Sequence, residues 1–175
     1  SCTSCPAGWQ VNKTNMKKCE PCQPGYYDIG TSNNMTCIAC AQGLYQDESE
    51  QMTCKSCPQG TYGKDKALVD IVLCSPCPVG RYKTEVAGVN KDACTACDGG
   101  KYSSEAGLGL NWKGCKECPS GRYGTESGLS VCKFCEPGQT QPNSGQLECS
   151  DCDVGTYYNQ VGGELLTNVC KDCPV

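Results

Sequence analysis

Ten CxxC pairs hold all twenty cysteines of this 175-residue chain. They are Cys2/Cys5, Cys19/Cys22, Cys37/Cys40, Cys54/Cys57, Cys74/Cys77, Cys94/Cys97, Cys115/Cys118, Cys132/Cys135, Cys149/Cys152 and Cys170/Cys173. Successive pairs begin 17 to 21 residues apart. A fixed local motif at a nearly fixed period is the signature of a repeat array. It constrains the fold more than any other feature, because crosslinks placed once per repeat stand in for a large hydrophobic core.

The apolar inventory agrees. There is one Phe and there are two Trp. A chain this poor in large apolar side chains buries too little surface to offset its conformational entropy. Covalent loops lower the entropy of the unfolded chain instead, by about 3 kcal/mol for a loop of ~15 residues in the chain-entropy model. Persistent disulfides on this scale imply an oxidising compartment, extracellular or at the cell surface by way of the secretory pathway. Two N-glycosylation sequons fit that compartment, Asn12-Lys13-Thr14 and Asn34-Met35-Thr36. No apolar run approaches the ~18 residues of a membrane span, so no direct membrane insertion is expected of this segment. It lacks an initiator Met and a signal peptide and reads as a mature or excised stretch. The net charge of −4, from 15 basic and 19 acidic residues, gives no footprint for nucleic acid.

Aligned on the second cysteine of each pair, Gly follows at the third position in all nine complete segments: Gly8, Gly25, Gly43, Gly60, Gly80, Gly100, Gly121, Gly138 and Gly155. Tyr follows at the fifth in seven: Tyr27, Tyr45, Tyr62, Tyr82, Tyr102, Tyr123 and Tyr157. The unit is CxxCPxGxY, a variable stretch, then the next CxxC. Pro and Gly spaced this way are the chemistry of a tight turn with positive φ. Tyr opens a short extended stretch and offers a ring to the adjacent disulfide. Turn formers at the tip of the variable stretch then imply one short, irregular hairpin per repeat, with no helical domain. The second Tyr-less segment, with Thr140 in the motif position, is expected to form a looser joint over residues 135–149.

Two connectivities satisfy this spacing. In the staggered one, the second cysteine of each pair bonds the first of the next. That gives Cys5–Cys19, Cys22–Cys37, Cys40–Cys54, Cys57–Cys74, Cys77–Cys94, Cys97–Cys115, Cys118–Cys132, Cys135–Cys149 and Cys152–Cys170, with Cys2 and Cys173 left for neighbouring segments or chains. The other joins pairs two at a time, as Cys2–Cys19 with Cys5–Cys22, and implies two alternating kinds of segment. Neither length nor motif alternates, which favours the staggered ladder, although sequence alone leaves both open.

The recurring CxxCPxGxY resembles the ephrin-receptor-like, growth-factor-receptor-type cysteine-rich repeats. It is similar in pattern to the single-disulfide modules of tumour necrosis factor receptors and to cysteine-rich surface proteins of protists such as ciliates. The resemblance spans essentially the whole chain and implies a rod of stacked modules, commonly staggered in bonding, with no catalytic residues to carry over.

Rival chemistries for the cysteines are weaker. Two CxxC pairs at this separation fall near zinc-ribbon spacing, and five zinc sites of four cysteines each can be drawn. Against them stand the sequons, the third-position Gly and the absence of His. Redox CxxC motifs sit once or twice at a helix N-terminus on a βαβ scaffold, not ten times on hairpins. Without His, nucleophilic triads lack their common base. No enzyme, metal or cofactor is expected.

Segments with longer loops carry most of the large aliphatics: Leu68, Val69, Ile71 and Val72; Leu108, Leu110 and Trp112; Leu165 and Leu166. These either fold back over their own module or form an interface. The expectation is therefore a single disulfide-rich repeat array over 1–175, an elongated solenoid of nine stacked short hairpins about 90 Å long at ~10 Å per repeat. Its modules span 2–22, 19–40, 37–57, 54–77, 74–97, 94–118, 115–135, 132–152 and 149–173. Its expected role is a non-enzymatic extracellular building block of a coat, fibre or adhesin. It would self-associate or bind another extracellular protein and carry N-linked glycans at Asn12 and Asn34. The alternatives are a ligand-binding segment of a receptor ectodomain and, behind it, a zinc-binding array of four-cysteine sites.

Overall fold

The structure is a computed structural model that describes residues 4–12, 17–30, 36–109, 114–158 and 170–174. Two compact units make up the chain, Ser1–Cys77 with Lys83–Cys94, and Pro78–Tyr82 with Thr95–Val175. Among the described residues there are nine antiparallel hairpins and no α-helix. They pair β1 (Trp9–Val11) with β2 (Cys19–Pro21), β3 (Tyr26–Tyr27) with β4 (Ile38–Ala39), β5 (Leu44–Tyr45) with β6 (Lys55–Ser56) and β7 (Thr61–Tyr62) with β8 (Ser75–Pro76). Next come β9 (Arg81–Tyr82) with β10 (Thr95–Ala96), β11 (Lys101–Tyr102) with β12 (Lys116–Glu117) and β13 (Arg122–Tyr123) with β14 (Lys133–Phe134). The last two are β15 (Gln139–Thr140) with β16 (Ser150–Asp151) and β17 (Thr156–Tyr157) with β18 (Lys171–Asp172). The motif residues after each second cysteine supply the first strand, and the interior of the next CxxC supplies the second.

Nine disulfides close these hairpins: Cys5–Cys19, Cys22–Cys37, Cys40–Cys54, Cys57–Cys74, Cys77–Cys94, Cys97–Cys115, Cys118–Cys132, Cys135–Cys149 and Cys152–Cys170. This is the staggered ladder. Each bond closes a loop of 14 to 18 residues, and two-residue strands have no independent stability without such a staple.

The turn that starts each hairpin explains the Gly. The carbonyl directly after the second cysteine accepts from the amide three residues on, as in Trp9 N to Pro6 O (3.1 Å) and Thr61 N to Pro58 O (3.1 Å). Its third residue is the motif Gly, with φ between 73° and 88° in all nine modules, where an L side chain is strained.

That Gly is also the junction between modules. Its carbonyl accepts from the second cysteine of the following pair, Cys22 to Gly8 and Cys57 to Gly43 for example, at 2.8 and 2.9 Å. Its N–H reaches the sixth residue after that cysteine. In the first unit Gly8, Gly25, Gly43 and Gly60 donate to Asp28, Gln46, Gly63 and Lys83 at 2.7 to 2.9 Å. In the second, Gly80, Gly100, Gly121 and Gly138 donate to Ser103, Gly124, Gln141 and Tyr158 at 2.7 to 2.8 Å. A third tie comes from a left-handed residue in five of the described loops. The amides of Glu50, Ala67 and Ala87 donate to the carbonyls of Cys22, Cys40 and Cys57, and those of Gly128 and Gly145 to Cys97 and Cys118. The stacking of modules is thus mainly backbone hydrogen bonding, the interaction least sensitive to side-chain identity.

Glycine serves a further purpose two modules away. A Cβ on Gly25 would lie 2.6 Å from the Ala67 carbonyl oxygen. Cβ atoms on Gly8, Gly43, Gly80 and Gly100 would overlap the carbonyls of Glu50, Ala87, Gly128 and Gly145. In each case the clashing carbonyl belongs to the left-handed residue of the second module on.

The small core lies between modules rather than inside one. Tyr45 and Leu68 are buried together with the Cys57–Cys74 disulfide, which belongs to the module after that of Tyr45. The same pairing of Tyr with the following loop recurs as parallel bridges from Tyr62 to Gly88, Tyr82 to Leu108 and Tyr102 to Leu129. At Tyr45 the ring covers the disulfide of the neighbouring module. Residues 135–149 form a hairpin of the ordinary kind, with Gln139 and Thr140 paired to Asp151 and Ser150.

Candidate interaction surface

The residue six past the second cysteine, which carries no sequence signature, is the most consistently buried polar position. Asp28, Gln46, Lys83, Ser103 and Gln141 all occupy it and are all buried. Its backbone is held between neighbouring modules, so its side chain turns into its own loop and satisfies carbonyls there. Gln46 Nε2 donates to Thr53 O at 2.6 Å while its Oε1 accepts from Glu48 N at 3.1 Å. Gln141 does the same with Glu148 O (2.8 Å) and Asn143 N (3.1 Å). Lys83 Nζ donates to Glu85 O at 2.6 Å and Val86 O at 3.3 Å, and Ser103 Oγ to Glu105 O at 2.9 Å. Where the position is glycine, a leucine fills the space: a Cβ on Gly63 or Gly124 would meet Leu68 Cδ1 at 2.8 Å or Leu129 Cδ1 at 2.6 Å. Four of the five buried polar side chains are thus engaged within their own loops.

The aliphatics of the long loops divide. Leu68 and Leu108 are each only 6% exposed. This corrects their assignment to an interface: each follows the left-handed position, pairs with the Tyr of the preceding module and points into the stack. Val69, Ile71, Val72 and Leu73 stay exposed, Val72 by 79%. They surround a 3-10 turn over Ile71–Leu73 whose start is capped by Asp70, its Oδ1 accepting from Val72 N at 2.9 Å. The turn holds the apolar side chains outward. The equivalent turn Lys91–Ala93, capped by Asn90, has polar residues at two of the three places. Leu110, Trp112, Leu165 and Leu166 lie outside the described residues.

Asn12 is half-buried, and its Nδ2 donates to Glu20 Oε2 at 2.6 Å; Gln10 Nε2 binds the other oxygen of Glu20 at 3.0 Å. Asn34 and Cys2 are outside the described residues, and Cys173 is an exposed free thiol. With eighteen cysteines paired, their sulfurs are not the thiolates that a four-cysteine zinc site requires. That overturns the zinc alternative. The ion pair of Lys55 with Asp47 lies at the surface. The hydrogen bond from Lys55 Nζ to Asp47 Oδ1 (2.6 Å) holds the Asp47 carboxyl below its usual range and raises the Lys55 ammonium above its own. No helix of the described residues is long and apolar enough to cross a membrane.

The geometry is that of a stapled scaffold with an exposed apolar turn at Ile71–Leu73. No curated protein compared with the chain matches it. Residues 28–71 match the family described as tyrosine-protein kinase ephrin type A/B receptor-like. The match runs from the buried sixth position of one module to the exposed turn two modules on, and it is to the cysteine-rich, non-catalytic ectodomain type of module. Over this stretch the chain is similar to an ephrin-receptor-like cysteine-rich domain, and the nine disulfide-stapled hairpins fit a cysteine-rich repeat protein.

Proposed function

We propose that this chain is a non-enzymatic structural protein of the extracellular space, a building block of a surface coat, fibre or adhesin. The observation that supports this best is the use of the polar interior. Each of the five buried polar side chains sits at the sixth position, and the four whose bonds are described close their own loops. What remains outside is scaffold surface, the apolar turn at Ile71–Leu73 and the Cys173 thiol. Self-association through the apolar turn, and glycans at Asn12 and Asn34, belong to this reading.

Its test is the intact mass of protein secreted by a eukaryotic cell, with and without reduction and with and without deglycosylation. The expected result is nine disulfides per chain, mass lost on deglycosylation, and assemblies larger than one chain. Monomeric, glycan-free protein at high concentration would overturn the assembly and glycosylation parts.

A receptor ectodomain segment is the second reading, favoured by the family match and by the apolar turn inside it. It predicts a saturable protein ligand whose binding is lost with Ile71→Asp and Val72→Asp while all nine disulfides are kept.

A further inference from the structure

Within the second unit, Tyr82, Asp98, Lys101, Gly114 and Cys115 line one open cleft of about 220 Å³. It lies at a module junction. Tyr82 belongs to the hairpin closed by Cys77–Cys94, and the other residues to the hairpin closed by Cys97–Cys115. The same places can be compared at other junctions, where Tyr45, Tyr62 and Tyr102 stand for Tyr82. There the residue after the second cysteine is Pro58, Pro78 or Pro119, and the residue before the closing cysteine is Leu73, Ala93 or Val131. Here they are Asp98 and Gly114. Gly114 has no side chain where the others place one, and a Cβ on it would meet nothing within 4 Å. The chain thus departs from its own motif twice, and both departures line the cleft.

The cleft also differs from the interior in its bonding. Buried Gln46, Lys83, Ser103 and Gln141 are tied to loop carbonyls. The Tyr82 hydroxyl, the Asp98 carboxylate and the Lys101 ammonium have no hydrogen bond or ion pair among the described residues. One carboxylate and one ammonium leave the cleft without net charge, so it selects neither an anion nor a cation. A carboxylate accepts from hydroxyls, an ammonium donates to them, and a phenol ring offers a flat apolar face. A ligand with hydroxyls on its edge and C–H groups on its face answers all three. At about 220 Å³ the cleft falls below the ~300 Å³ of pockets that hold drug-sized ligands, which limits the ligand to one ring. The geometry points to this cleft as a binding site for a single uncharged pyranose residue of a glycan. The inference goes beyond the structural role proposed above and rests on none of its parts.

The ligand is small and the cleft is open to solvent. About a dozen heavy atoms at ordinary ligand efficiency give a Kd on the order of 1–10 mM. Binding that weak becomes firm only when several glycan ends meet several linked copies of the site.

The probes are the methyl glycosides of glucose, galactose, mannose and N-acetylglucosamine. Each is titrated into the full disulfide-bonded chain up to about 50 mM, well above the expected Kd. Amide NMR shifts locate the site, and saturation transfer reports contact with the sugar. Glycine, a zwitterion that brings both opposite charges, is the competitor. Two variants use residues that other modules carry at the same place, which keeps the hairpin chemistry. Asp98→Pro matches Pro58, Pro78 and Pro119, and Lys101→Thr matches Thr61 and Thr156. Disulfides are counted by mass in each variant.

Recognition predicts saturable binding of at least one glycoside, with the shifts centred on the amides of Tyr82, Lys101 and Gly114. Each variant is expected to weaken it by roughly fivefold or more while all nine disulfides are kept. Absence of a saturable shift with all four glycosides would overturn the proposal. So would displacement of the sugar by glycine at equal concentration, which would mark a site for a zwitterion instead. Shifts centred elsewhere, or an unchanged affinity in Asp98→Pro and Lys101→Thr, would overturn it as well.

Discussion

Gly25→Ala isolates what the junction glycine contributes. Gly25 has φ +84°, and Gly138 has φ +85°, so the same substitution carries the same backbone strain at both, about 1–2 kcal/mol. The surroundings differ. At Gly25 the added Cβ would lie 2.6 Å from the Ala67 oxygen, 3.0 Å from its carbonyl carbon and 3.2 Å from Val69 Cγ1. At Gly138 it meets nothing within 4 Å. The Ala67 carbonyl has to retreat by roughly half an ångström or more, and the Ala67 N–H is itself bonded to Cys40 O at 2.8 Å. Overpacking of this kind costs about 1–3 kcal/mol. Loosening the bonds at Gly25, 2.7 Å to Gln46 O and 2.8 Å from Cys40 N, adds about 1 kcal/mol. The expected destabilisation is therefore about 3–6 kcal/mol for Gly25→Ala and about 1–2 kcal/mol for Gly138→Ala.

Repeat arrays open in parts, so one global midpoint is the wrong readout. Native-state hydrogen exchange at the amides of Gly25, Gln46 and Ala67 measures the local opening free energy with disulfides intact. For Gly138→Ala the matching amides are Gly138 and Cys152. Equal losses at the two sites, within about 1 kcal/mol, would refute the idea that a carbonyl two modules on dictates the Gly.

Ala87→Gly at the left-handed loop position (φ 57°) should slow exchange of the residue 87 amide, which is bonded to Cys57 O. The strain removed outweighs the entropy added by at most about 1 kcal/mol. Lys83→Met should open its loop by about 1–3 kcal/mol, because the Glu85 and Val86 carbonyls lose their donor. Lys83→Gln should recover most of that, as Gln46 and Gln141 do in place; urea titration followed by exchange at Ala87 compares them. The Asp47–Lys55 pair is fully exposed to salt and should show a signature in titration rather than in stability. With Asp47 lowered, its contribution is present above the ordinary pKa of 3.8 and fades as pH falls through the depressed folded value. With Lys55 raised, its own is present below 10.5 and fades as pH rises past that. Carboxyl NMR of Lys55→Met should place Asp47 back near 3.8.

Legibility in the sequence followed how narrowly physics restricts each position. The cysteines and the third-position Gly could be read because nothing else forms the bond or tolerates both positive φ and an approaching carbonyl. The sixth position could not, since Gln, Lys and Ser all reach a loop carbonyl from there, Asp is buried there too, and Gly with Leu fills the same volume. The left-handed loop residue is glycine at Gly107, Gly128 and Gly145, but Glu50, Ala67 and Ala87 elsewhere, which hides the pattern. That hidden residue also separates Leu68 from Val69. The side chain one past it faces the Tyr of the previous module, and the one two past it faces out. Composition treats both as spare aliphatics; only register from the left-handed residue tells them apart.

These ties also set the smallest piece that can be itself. A module closes its own loop with its disulfide, gives its Gly N–H to the next module, and has the Gly covered by a carbonyl of the one after. A single hairpin therefore leaves the junction groups in water, and a pair still leaves the first Gly uncovered. Three consecutive modules are the first to use every kind of contact once, in line with the minimum seen for stacked repeats. Each module added beyond the third brings the same three ties, so the array gains stability in equal steps without a growing core. This accounts for a long chain with so few large apolar side chains. It also explains why the modules of this chain differ from one another at most positions but keep the cysteines, where the loop closes, and the glycine, where neighbouring modules meet.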